Sequence, residues 1–161
     1  MLLRLSALAL LFATPALAAV PVDCGPVTAA FLATARTSGT VHIEGIGGRN
    51  PGTLVFTGTR LYVQSRNGWT VLARTPAQRE EEARENLRGA ALACVRIGDE
   101  RIAGQPASVY RVEIGNHGVP SDLVVWIGKS GLLLRLEDQS GNVPLVDQRY
   151  EYAAVRPPAM H

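Results

Sequence analysis

Three histidines, His42, His117 and His161, are the first places to look for chemistry in this chain of 161 residues. They fall on a strand-like run, in a loop and at the last position, so no two stand at ligand or triad spacing, and no G-x-S-x-G element is present to make a nucleophile of a serine. His42 and Glu44 share one face of a strand and would hold a metal only with a third ligand; a solvated edge pair is the plainer reading. Glu137 and Glu151 occupy polar strand positions, where an ionised, hydrated carboxylate is the default, so no acid/base pair is placed. Gly128-Lys129-Ser130 has the ending of a phosphate-binding loop. The earlier glycine position holds Leu123, however, and the context is strand, turn, strand with no helix start to hold a phosphate. Arg111, Arg135 and Arg149 point outward from strands, open to an anionic headgroup or an acidic partner, or simply serving as solubilising charge. The expectation is a protein that is not an enzyme, with no catalytic residue, no metal and no cofactor.

Two cysteines remain, Cys24 and Cys94. The start of the chain says how to read them. Met1 to Ala18 carries a lone Arg4, an apolar run and then Ala16-Leu17-Ala18, the pattern of a cleaved secretory signal peptide rather than a membrane-spanning helix. Cys24 follows Pro21-Val22-Asp23, without the small residue that should precede a lipidated cysteine. In an exporting, oxidising compartment the two thiols are expected to pair, closing a loop of about 70 residues worth up to roughly 4 kcal/mol. A C-x-x-C redox or metal site is not available.

What is left after Ala18, residues 19–161, suits a single domain. The 16 basic and 14 acidic residues nearly cancel, and Lys129 is the only lysine. That balance, without a basic cluster, argues against a nucleic-acid partner.

The elements that must position these residues are legible from periodicity. Pro26 opens a helix whose stripe is Val27, Ala30, Phe31 and Ala35, ending near Ser38-Gly39. Strands follow at Thr40 to Ile46, Thr53 to Thr57, Arg60 to Ser65 and Trp69 to Arg74, the last two joined at Asn67-Gly68, and a glycine-rich loop spans Gly45 to Gly52. Thr75-Pro76-Ala77-Gln78 is a helix start with the makings of a capping box. Glu80, Glu81, Glu82 and Glu85 read as its solvated face, and Ala83, Leu87, Ala90 and Cys94 as its buried stripe, which would set both cysteines at helix ends. Strands then occupy Val95 to Arg101, Ala107 to Ile114 and Leu123 to Ile127. From Val124 to Tyr152 two long strands turn at Lys129-Ser130-Gly131, and a third is reached through Ser140-Gly141-Asn142. Strict alternation predicts that Leu132, Leu134 and Leu136 share one face with Val146, Gln148, Tyr150 and Tyr152 on the next strand, while Leu133, Arg135 and Glu137 face the other way. The fold class is α+β, an antiparallel sheet whose apolar face must be covered by helices, a second sheet or a ligand.

The stretches Glu100-Arg101-Ile102-Ala103-Gly104-Gln105-Pro106-Ala107, Trp126 to Arg135 and Asp138 to Gln148 resemble the amino-terminal domain of the RseB/MucB family of periplasmic stress regulators. That family belongs to one superfamily with LolA and LolB, which carry lipoproteins between bacterial membranes. The resemblance is clearest over Val95 to Tyr152 and in the first half rests on element order. It implies a curved antiparallel sheet, an incomplete β-barrel, with two helices covering its concave face around an apolar cavity that takes acyl chains. No counterpart of the second domain of RseB or of the lipidated cysteine of LolB is expected within residues 19–161.

The residues that would line such a cavity are Phe31, Phe56, Tyr62, Trp69, Tyr110, Trp126, Leu134, Tyr150 and Tyr152. Each singly is as well suited to filling a core, and the set carries weight only together. The expected function is a soluble periplasmic binding protein for an acyl chain, a lipid or a lipidated protein, gated by motion near the Gly45 to Gly52 loop. The alternative is a protein-interaction module with a packed interior, acting as an envelope-stress sensor on a periplasmic partner through a strand edge or the Glu80 to Glu85 face. A small hydrolase is the third and weakest reading.

Overall fold

The computed structural model describes residues 20–45, 51–65, 67–88, 90–116, 119–140, 143–153 and 155–159. The expected signal peptide, His117 and His161 lie outside them, as do residues 46–50 of the loop expected to act as a gate. The elements are β1 (Val20–Val22), α1 (Gly25–Arg36), β2 (Gly39–Gly45), β3 (Gly52–Phe56), β4 (Arg60–Ser65), β5 (Gly68–Ala73), α2 (Pro76–Arg88), β6 (Ala91–Ile102), β7 (Gln105–Asn116), β8 (Val119–Gly128), β9 (Leu133–Ser140) and β10 (Val143–Glu151).

All ten strands form one sheet in the order β1-β6-β7-β8-β9-β10-β2-β3-β4-β5. Two meanders, β2 to β5 and β6 to β10, meet where β10 pairs with β2. Helices make the long connections: α1 carries the chain from the edge at β1 to the middle of the sheet, and α2 returns it from the far edge at β5 to β6. The sheet is open and curved, with α1 lying over β8 and β9 and α2 packed beside α1. Register shifts at Arg96/Gly98, Trp126/Ile127 and Pro144/Val146 sharpen the bend, because an extra residue on one strand adds local twist.

Local chemistry explains the ends of the elements. At the start of α2 the Thr75 N–H donates to Gln78 Oε1 at 2.9 Å and the Gln78 N–H donates to Thr75 Oγ1 at 3.2 Å, a closed capping box. Gly131, at φ 76°, turns the chain between β8 and β9. The β4–β5 hairpin closes earlier than expected: Ser65 pairs with Gly68, so Gly68 belongs to β5.

Cys24 and Cys94 are bonded, with Cα atoms 5.3 Å apart. Cys24 caps α1, but Cys94 lies inside β6 and pairs with Val112; α2 stops at Arg88, so its stripe never reaches the cysteine. The bond therefore ties the first turn of α1 to β6, the strand next to the edge strand β1.

Apolar packing occurs on both faces. Under the helices, Val27 and Ala30 of α1 meet Tyr110, Val112, Val125, Leu133 and Leu136. On the outer face Ala107, Val109, Val124, Trp126 and Leu134 form a second cluster. The expectation that Leu134 and Leu136 share a face is thus wrong. The bulge beside Ile127 puts Leu133 and Leu136 under the helices and turns Leu134 outward. A charged layer covers the outer cluster. The Arg135 guanidinium lies 4.7 Å from the centroid of the Trp126 ring and donates to Asp147 at 2.9 Å as well as to Glu137, while Trp126 Nε1 donates to Glu100 at 2.8 Å. Hydrogen bonding to Asp147 raises the Arg135 pKa despite partial burial.

Candidate functional site

On the helix-covered face, α1 and α2 leave space above β2, β3, β4 and β10. The space is a cavity of about 260 Å³. Its apolar walls include Phe31 from α1, Val41, Leu54, Phe56 and Leu61 from the first meander, and Leu133 and Tyr150 from the second. Strand pairing explains the convergence. Phe56 stands opposite Leu61, Leu54 opposite Val41 and Val41 opposite Tyr150, so two adjacent rows of directly paired residues face the helices. The Ala83 side chain, one turn beyond Arg79, leaves room on the α2 side.

The polar groups at this cavity are few. Thr34 Oγ1 accepts the Leu133 N–H at 3.0 Å, and the Tyr150 hydroxyl donates to Gln148 at 2.8 Å. Burial pushes the Tyr150 pKa well above the ordinary phenol value, so the ring stays neutral. Two charged side chains interrupt this otherwise apolar lining, Glu82, which pairs with Arg74, and Arg79. Arg79 is 5% exposed, and its guanidinium lies 5.3 Å from the centroid of the Phe56 ring. Nε donates to the Ala35 carbonyl at 2.9 Å, and Nη1 donates to the carbonyls of Arg74 at 2.9 Å and Thr57 at 3.3 Å. Nη2 is buried with no partner among the described residues. Burial lowers the Arg79 pKa and Glu82 opposes the shift, but an arginine stays charged in a protein.

The neighbouring carboxylates are taken. Glu80 pairs with Arg84 at 2.6 Å and with Arg36 at 3.5 Å, Glu81 with Arg84 at 2.6 Å, and Glu82 with Arg74 at 2.9 Å. The acidic run is therefore a surface lattice of ion pairs. On the outer face His42 Nε2 lies 3.7 Å from Glu151 and Glu44 lies 3.9 Å from Arg149, so the pair sharing that strand face engages different neighbours.

Of the nine aromatic and aliphatic residues expected to line a cavity, the structure brings Phe31, Phe56 and Tyr150 to one. Tyr110 lies on the same face but is packed into the core under α1. Tyr62 is directly paired with Val55 and Val71, and Trp69 with Gln64, which places them on the outer face; Trp126 and Leu134 are there too. Tyr152 stands one residue beyond β10 and packs against the Trp126 cluster, its hydroxyl donating to the Leu133 carbonyl at 2.6 Å. Arg79, Leu54, Leu61 and Leu133 are cavity residues that the sequence reading does not single out.

No protein-family model and no curated protein sequence matches this chain. In fold it is similar to LprF from Mycobacterium bovis, with a TM-score of 0.50 and 11% sequence identity over 86% of this chain and 98% of that one. At that identity the likeness is one of fold. The fold is LolA-like, an open, curved antiparallel sheet with helices over its concave face. No helix among the described residues is long and apolar enough to cross a membrane.

Proposed function

We propose that this protein is a periplasmic binding protein that holds an acyl chain, free or as part of a lipid or lipidated protein, in the cavity between α1, α2 and the sheet, and that it is not an enzyme. The observation that carries this reading is the cavity itself, walled by Phe31, Phe56, Leu61, Leu133 and Tyr150 in a fold of LolA type. Each methylene moved there from water contributes about 0.8 kcal/mol, so a short buried length gives useful affinity. A volume of about 260 Å³ lies just under the roughly 300 Å³ at which ordinary ligand pockets begin, which favours one chain or part of one over a multi-chain lipid. The deciding experiment is native mass spectrometry of protein isolated from periplasm without detergent, followed by organic extraction. An added mass that is lost on unfolding and recovered as lipid supports the reading. A bare mass that takes up neither added lipid nor acylated peptide defeats it.

A second reading, closer to the RseB/MucB likeness, is an interaction module for a periplasmic partner. The edge strand β5 favours it, since Val71 and Leu72 are 39% and 38% exposed along an unpaired edge.

A further inference from the structure

A guanidinium has five N–H donors. In Arg79 three are committed, one from Nε to Ala35 and two from Nη1 to Thr57 and Arg74, all to neutral carbonyls. The two on Nη2 are buried and have no partner among the described residues. Among the described residues no carboxylate pairs with Arg79: Glu82, which shares the cavity wall, acts on it only through space, and the three glutamates that follow Arg79 are engaged by Arg36, Arg74, Arg84 and Arg88. Its place in the first turn of α2 adds to the imbalance, since that end of a helix carries partial positive charge. A buried cation without a counter-ion is costly, and a buried donor without an acceptor adds to the cost. Both deficits occur at the one charged group that contacts Phe56 in the cavity wall.

We propose that the cavity selects single-chain amphiphiles with a carboxylate head, and that Arg79 binds the head through its free Nη2 hydrogens; this rests on the acyl-binding reading above. The small volume admits one chain, and one nitrogen with two hydrogens suits a compact singly charged group. The carboxylate supplies a directly bonded counter-ion and the missing acceptor together, while the chain lies against Phe31, Phe56 and Leu133.

The test is calorimetric titration of the delipidated, disulfide-intact protein with laurate, methyl laurate, dodecyl phosphate and dodecyltrimethylammonium. Laurate is expected to bind at least about tenfold more tightly than its methyl ester, the size of one charge-assisted hydrogen bond, and the cationic amphiphile most weakly. In Arg79→Met the ratio of laurate to ester affinity should fall to about one. The unmutated protein decides by itself if that variant does not fold. Equal binding of laurate and ester would overturn the headgroup assignment and leave the cavity reading standing. Tighter binding of dodecyl phosphate than of laurate would overturn the carboxylate in favour of a phosphate head. Binding of none of the four would remove the cavity reading and this inference with it.

Discussion

Tyr152 shows how a residue just beyond a strand completes the bonding of one within it. Its hydroxyl donates to the Leu133 carbonyl, the Leu133 N–H donates to Thr34 Oγ1, and the two hydroxyl oxygens lie 3.3 Å apart. Since the Tyr152 proton goes to Leu133, Thr34 donates to Tyr152, and a closed network ties α1, β9 and the end of β10. Gly39 makes room for the ring: a Cβ there would come within 3.1 Å of it. Tyr152→Phe is expected to cost about 1 to 2 kcal/mol in urea unfolding, because a buried carbonyl loses its donor. Burial pushes the Tyr152 pKa up to about 12, with the Thr34 contact opposing. Between the ordinary phenol value near 10 and that figure the unfolded chain gives up a proton that the folded one keeps. Stability present below pH 10 should therefore fall as pH rises toward 12, and less steeply in Tyr152→Phe. Burial raises Tyr150 in the same direction and accounts for the remainder. Arg79 was within reach of the sequence. The stripe of Ala83 and Leu87, extended one turn back, lands on it, a cation on an apolar stripe and in a first turn. The identity of its partners was not, because they are backbone carbonyls of distant elements.

Elements whose ends are written in local chemistry were the most legible. Thr75 and Gln78 announce α2, and Gly131 announces the β8–β9 turn, because caps and turns use the residues beside them. Facing was less legible, since period two holds only between bulges. Leu133 and Leu134 change places across one, and Cys94 fits a helical stripe by spacing while lying on a strand. The β6–β7 hairpin illustrates a local choice that the sequence leaves unoptimised. Ile102 pairs with Gln105, so the loop is Ala103-Gly104, with φ of 47° and 80°. Both values are those of a type I′ turn, which favours Asn-Gly. An alanine held left-handed costs roughly 1 to 2 kcal/mol, and asparagine tolerates that region far better. Ala103→Asn should raise the unfolding free energy by up to about 1 kcal/mol, read as a higher denaturation midpoint at unchanged urea slope. An unchanged or lower midpoint would mean the turn is not held in this conformation in solution.

At the scale of the molecule, the two helices are attached very differently. The first turn of α1 is bonded to β6 through Cys24 and Cys94, and α1 buries Val27 and Ala30 in the core. α2 rests beside α1, and the one residue it buries is Arg79, so its first turn is tied down by three hydrogen bonds while the turns after it carry surface ion pairs. Segments that bury little apolar surface open with less free energy than the whole chain needs to unfold. A ligand reaching Phe31 and Tyr150 therefore has its easiest path where the later turns of α2, from Ala83 onward, swing away from the sheet. Hydrogen exchange measures this directly. Amides of residues 83–88 should exchange through local opening, with protection well below that of β7 and β8 and insensitive to low urea. Amides of α1 should be held by the disulfide. Adding laurate should slow exchange in α2 far more than in β7 or β8, because the bound chain fills the space against which Ala83 closes. If α2 instead exchanges only with global unfolding, and laurate slows all regions alike, the helix is a fixed wall and access to the cavity runs elsewhere.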